Sequence, residues 1–270
     1  MTRPNILFIL AEDMGYGDFG CFNGGLSQTP ALDQMVAEGV CLTQHYSASP
    51  VCAPARASLL TGRYPHRTAQ RRARRALPSP AARLRRVRRL PLRWPAGLAS
   101  PRTLPQMIHF TDWLPTLLAV AGSAPPATLR LDGVDALPVL QGESDRVPAQ
   151  RFWQWNRYAP AAECNAAMRD GNWKLVRPAI GALMAVSPDD FAMDVDAKYH
   201  PEKYPDILRD LPPPPLASSA VPSQLFDLDI DPAERDDLAA AHPDRVARME
   251  RALSRWCEDV ERDRRAIPPA

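Results

Sequence analysis

The chain predicts an α/β fold, followed by a small antiparallel sheet and a closing helix. Three observations carry this reading. A continuous apolar run of strand length stands near the start, Asn5 to Ala11. An apolar and small stretch from Tyr46 to Val51 leads into a helical pattern at Cys52. The last third sets short strand-like runs around a turn before a long amphipathic pattern. With 270 residues, 45% hydrophobic and 24% charged, the chain can bury a full core and divide it between a large domain and a smaller piece.

Asn5-Ile6-Leu7-Phe8-Ile9-Leu10-Ala11 shows no polar alternation, as expected of a strand covered on both faces by helices. Glu12 and Asp13 stand at its carboxyl end, where open α/β sheets bind ligands, and are candidate donors to a hard, oxygen-preferring cation. Successive strand side chains point oppositely, so both reach one ion only if the chain leaves strand geometry, which Gly15 and Gly17 permit. An ordinary acidic strand end is the other reading. Thr29-Pro30 to Gly39 reads as a short helix with Thr as N-cap, Pro in the first turn and Gly at the stop. Val40 to Tyr46 returns as a strand, and its lone His45 is read as structural.

Cys52-Ala53-Pro54-Ala55-Arg56 places a cysteine at a helix start, where unpaired N–H groups favour thiolates and oxyanions. Pro54 suits the first turn, and Arg56 is a fixed cation nearby. A buried free cysteine beside a surface arginine is the plainer alternative.

From Ala69 the chemistry changes. Residues 71–93 hold ten arginines and no acidic residue, so without them the formal balance would move from +2 to −8. A nucleic-acid patch would explain such clustering, but no aromatics are interleaved and no nucleic-acid module is recognisable, so no nucleic-acid partner is expected. A solvated helix face would need acidic partners that are absent. The Arg, Ala and Pro bias is what a GC-rich coding region yields out of frame, and the stretch is read as an interrupted or shifted reading frame.

Beyond it, Asp112 can cap a helix that Gly122 ends, with Leu114, Leu117, Leu118 and Ala121 as its apolar face. Capping, not metal binding with His109, is the reading for Asp112. Short runs at Arg151–Trp155, Ala166–Arg169, Trp173–Val176 and Leu225–Leu228 predict a small antiparallel sheet, with Asp170-Gly171-Asn172 as a hairpin turn. Pro178 to Pro222 reads as loop, ending in a stiff Pro212–Pro215 spacer. Pro243 to Arg265 predicts a helix whose Val246, Met249, Leu253, Trp256 and Val260 pack over that sheet.

Five cysteines, at 21, 41, 52, 164 and 257, form no short-spaced pair, which argues against a disulfide framework. No apolar run reaches membrane-spanning length and no secretory pattern precedes Asn5, so no membrane partner is expected and the chain reads as cytoplasmic.

Ser47-Ala48-Ser49-Pro50-Val51-Cys52-Ala53-Pro54-Ala55-Arg56-Ala57-Ser58-Leu59-Leu60-Thr61-Gly62-Arg63-Tyr64-Pro65-His66 resembles the signature segment of the sulfatase family. The opening from Pro4 to Asp18 is similar to the start of those enzymes. His109 to Gly122 and Leu131 to Val134 look like late parts of their catalytic domain, and Arg169 to Leu175 with Leu225 to Leu228 and the last helix look like their C-terminal subdomain. The resemblance implies an alkaline-phosphatase-like sandwich with a mixed central sheet, truncated here. It divides the chain into residues 1–68 and 94–150 as early and late catalytic parts, 69–93 as a foreign insert, and 151–270 as the C-terminal subdomain.

The resemblance implies hydrolysis of small sulfate esters or sulfamates by a formylglycine that a formylglycine-generating enzyme makes from Cys52, with Arg56 as its positioning cation. It implies a calcium ion held by Glu12, Asp13 and residue 52. Glu12 departs from the family, which usually has Asp there. The family's central stretch, with an Asp-Asn pair and the lysines and histidines that hold sulfate and protonate the leaving alcohol, is missing. Impaired activity is therefore expected. Two other readings stay open: a non-catalytic remnant or anion-binding protein, and a phosphate-ester or phosphonate hydrolase of the same superfamily.

Overall fold

The structure, a computed structural model, describes residues 5–11, 13–68, 101–156, 160–203 and 221–266. Glu12, the arginine-rich stretch 69–93 and Pro212–Pro215 lie outside them. The chain forms two units, Met1–Ser47 with Val51–Arg63 and Leu77–Pro148, and Ala48–Pro50 with Tyr64–Ala76 and Ala149–Ala270.

In the first unit, helix α1 spans Pro30–Glu38, entered through Pro30 and left at Gly39 as expected. Thr29 does not cap it. Its hydroxyl instead donates to Asp33 Oδ1 at 2.8 Å and accepts from Gly20 N at 2.8 Å, tying the preceding loop to the helix. The expected strand from Val40 to Tyr46 is two, β1 (Val40–Leu42) and β2 (His45–Tyr46), parted by a turn. Each pairs in parallel with a later strand. β1 lies on β3 (Arg102–Leu104) with Val40 opposite Arg102, and β2 on β4 (Ile108–His109) with His45 opposite Ile108. Parallel partners need a crossover, and helix α2, Cys52–Thr61, lies in that connection.

α2 buries Pro54, Ala55, Ala57, Ser58 and Leu59 and ends at Gly62, whose left-handed φ of 65° lets its N–H reach Ser58 O at 2.9 Å. Gly62 O then accepts from Asp132 N and Gly133 N, fixing the loop that follows helix α3, Trp113–Val120. Of the apolar face expected on α3, the leucines are only half-buried, while Pro115 and Thr116 are its buried residues. The helix is apolar nearly all round, so its composition does not select one face. A short helix α4, Leu137–Gln141, adds buried Val139 and Leu140.

Residues 5–11 differ most from expectation. They form no strand, and Ile6, Leu7, Phe8, Ile9 and Leu10 are between 39% and 67% exposed. A parallel strand is stabilised only between hydrogen-bonded neighbours under covering helices. Among the described residues the two parallel ladders have two strands each, and neither takes this segment in.

In the second unit, β5 (Gln150–Gln154), β6 (Ala166–Asp170), β7 (Trp173–Arg177) and β8 (Gln224–Asp227) form the antiparallel sheet expected, in that order, and Gly171 at φ 64° makes the β6–β7 turn. Pro178 to Pro222 holds two helices that the loop reading passed over, α5 (Gly181–Met184) and α6 (Pro188–Tyr199). Ser187 caps α6 by accepting from Asp190 N at 3.1 Å. Helix α7, Pro243–Arg265, has the predicted bounds. Its Met249, Leu253, Trp256 and Val260 join Met168, Leu175 and Leu225 in one core. No helix among the described residues is long and apolar enough to cross a membrane.

Candidate functional site

Cys52 is the first residue of α2, preceded by Val51 in extended conformation, and it is exposed with a free thiol. The helix starts there because the chain leaves an extended run and meets residues, Ala53 to Leu60, with no β-branched member. Pro54 occupies the first turn and is buried, which fixes the entry angle of the strand-to-helix corner. The first-turn amides have no intrahelical acceptor, and the N-cap residue Val51 brings no capping side chain. Residue 52 thus stands at the positive end of a helix dipole, where a bound oxyanion is favoured. Arg56 stands one turn further along, half-buried. The plainer reading of a buried cysteine is thus not what the fold places here.

Asp13 is exposed and has φ 52°, a left-handed conformation uncommon outside glycine, Asn and Asp. The chain does leave strand geometry at this point. Among the described residues, however, no group of three or more His, Cys, Asp or Glu side chains is gathered in a way that could hold a metal ion.

The other polar side chains of this unit have structural work. Asp112 is 1% exposed and turns backwards, its carboxylate accepting from His109 N at 2.9 Å and from Val134 N at 2.9 Å. Thr116 Oγ1 donates to Asp112 O at 2.6 Å and accepts from Ala136 N at 2.9 Å. His109 is fully buried, with Nδ1 at 2.8 Å from Thr111 Oγ1. His45 Nε2 accepts from the Trp113 indole N–H at 2.8 Å. These groups order the loops after β4.

His66 and Arg67, a few residues beyond α2 in the chain, carry functional groups for which the sequence offers no role. In the second unit both are buried, Arg67 between Asp259 and Asp263 of α7 and His66 against Gln154 of β5. The signal in the sequence is the pair of acids four residues apart on the polar side of the last helix, which reads equally well as a solvated face.

The sequence model of the Sulfatase family matches residues 4–83. Steryl-sulfatase of Mus musculus is 54% identical over 65 residues, 24% of this chain and 10% of that protein. Arylsulfatase D of Homo sapiens is 52% identical over 66 residues, 24% of this chain and 11% of that protein. The chain thus spans about a tenth of the length of these curated relatives. The solved structure described as "Crystal structure of Ps i-CgsB" shares the fold, with a TM-score of 0.62 at 14% identity over 94% of this chain and 93% of that one. The α/β class expected from the sequence therefore holds, and the signature resemblance rests on the N-terminal match.

Proposed function

We propose that this chain is a sulfuric ester hydrolase of the sulfatase kind, acting on a small sulfated substrate at residue 52, with low turnover. The observation that carries the reading is the exposed Cys52 on the first residue of α2, inside residues 4–83 that the Sulfatase family model matches. Conversion of Cys52 to formylglycine by a maturation enzyme would supply a hydrated aldehyde, one hydroxyl to attack sulfur and the other to expel sulfate. The chain's own contribution is the helix N-terminus, which favours the oxyanion, and Arg56, a cation one turn away.

Low turnover follows from the proton and charge inventory. An efficient ester hydrolase protonates its leaving group from a positioned acid. In the first unit the described histidines are His45, whose Nε2 takes the Trp113 N–H, and His109, which is fully buried. Lys174 is paired with Glu234 and Lys203 with Asp196 in the second unit. Calcium is part of what the resemblance implies, with Glu12, Asp13 and residue 52 as donors. Asp13 and a converted residue 52 would bring fewer oxygens than the six to eight the ion takes, and the described residues show no group of three His, Cys, Asp or Glu that could hold a metal. Among the described residues these donors alone do not make a tight calcium site, and no step is routed through a cation.

The test is mass spectrometry of the peptide bearing residue 52 after co-expression with a formylglycine-generating enzyme. The reading expects partial conversion to the aldehyde. Thiol alone, beside a converted control sulfatase from the same cells, would remove its basis. A non-catalytic remnant is the second reading, favoured by the unpaired, exposed run Ile6–Leu10. It predicts conversion without Cys52-dependent sulfate release.

A further inference from the structure

His66 is 6% exposed, and the turn that carries it, Pro65–Thr68, packs on α7 and β5 within the second unit. Its Nε2 lies 2.6 Å from Gln154 Oε1. Gln154 spends its own amide N–H groups on Asn156 Oδ1 and Ala161 O, so its Oε1 is an acceptor and His66 Nε2 carries the proton. Nδ1 is then a bare acceptor, buried and without a partner among the described residues. A second proton on the ring would have to sit there, inside the protein, with no described residue to receive its hydrogen bond.

Burial opposes that proton, and the charged surroundings pull on it both ways. From α7, Glu261 would attract it and Arg264 would repel it, and Arg67 of the same turn repels it. Glu261 is already committed, to Arg264 at 2.5 and 2.6 Å and to Arg265 at 2.8 Å. A neighbouring cavity of about 550 Å³ is lined by His66 and by Glu163, Arg177, Glu250 and Glu258. There Arg177 and Glu250 hold each other, leaving Glu163 and Glu258 as exposed carboxylates at its wall. Burial pushes the imidazole below its ordinary value of 6.5.

We propose that the Tyr64–Thr68 segment is an acid-releasable clasp on the C-terminal helix, with His66 as the group whose protonation opens it. Closed, the clasp is held by Arg67 on Asp259 and Asp263, both at 2.5 Å, and by Tyr64 edge-on to Trp256 at 5.1 Å. Opening hydrates the imidazole and lets it take a proton at its ordinary value, so the open form binds more protons than the closed one below that value. The clasp is therefore firm above pH 6.5 and weakens as pH falls. What it releases is the link between the last helix and the chain that immediately follows α2.

Hydrogen–deuterium exchange of the full chain, corrected for intrinsic rates, tests this at pH 7.5 and 5.5. Opening of the 64–68 peptide should be about tenfold more frequent at the lower pH, the factor one pH unit gives for a single linked proton. The β6–β7 hairpin should be unchanged. His66→Gln keeps a donor for Gln154 and should abolish the difference. Equal acid response in that variant, or none in the unaltered protein, overturns the proposal. Imidazole NMR of the unaltered protein gives an independent readout should the variant not fold. A His66 midpoint well below 6.5 supports the clasp, and one at or above it overturns it.

Discussion

The indole N–H of Trp113 donates to His45 Nε2 at 2.8 Å, joining the first residue of α3 to the first residue of β2. The His45 ring also lies against Phe110, with centroids 5.3 Å apart. Although part of the residue stays exposed, desolvation of the ring holds its pKa down to about 4. Trp113→Phe keeps an aromatic ring and removes the donor. We expect a loss of about 1 kcal/mol in denaturant unfolding, the usual net value of one such bond.

The same imidazole sets a pH dependence. Its folded pKa lies below the unfolded 6.5, so the unfolded state binds the proton first as pH falls. The stability of the first unit should be full above pH 6.5 and decline progressively toward pH 4. Unfolding midpoints measured across that window, compared with a His45→Gln variant that lacks the titration, check the sign.

Arg67 has a 1% exposed side chain and two carboxylate partners that are about a quarter exposed, Asp259 and Asp263. Removing one member of a buried pair leaves charge without compensation, at a cost of about 3–5 kcal/mol. Arg67→Ala should lower the free energy of unfolding by that much. Arg67→Lys should recover only part, because a single ammonium cannot present the fork that reaches both acids. Equal stability of the two variants would refute the geometry.

Gly133 follows the Asp132 amide that binds Gly62 O, and a methyl group at its Cα would run into the backbone carbonyl of Thr111. Backbone cannot swing aside as a side chain can. Gly133→Ala should cost about 1–3 kcal/mol by overpacking. Thermal unfolding of the variant at an unchanged temperature would show that the loop is held less closely than described.

The second unit was legible because its signals are local. Asp170-Gly171-Asn172 fixes a hairpin register, and the α7 face repeats at three and four residues, so sheet and helix emerge with nearly the expected bounds. Helix α6 was hidden by the prolines around it, although Ser187-Pro188-Asp189-Asp190 is a start signal. The Ile6–Leu10 run misled in the opposite way, since an apolar run states what a strand needs and not whether neighbours exist to pair with it. At the site, the position of Cys52 at a helix start was readable from Pro54 and the run after it. The burial of His66 and Arg67 was not, because their partners come from about 90 and 190 residues later in the chain.

The most direct test of the account is hydrolysis of an aryl sulfate by the full chain co-expressed with a formylglycine-generating enzyme, measured beside Cys52→Ala. The account predicts sulfate release that disappears with Cys52→Ala and runs more than about a hundredfold below a complete sulfatase, the order of loss expected without a positioned general acid. Release that is the same in the Cys52→Ala protein would contradict the assignment of residue 52. Turnover within about tenfold of a complete enzyme would contradict the claim that the machinery around it is deficient.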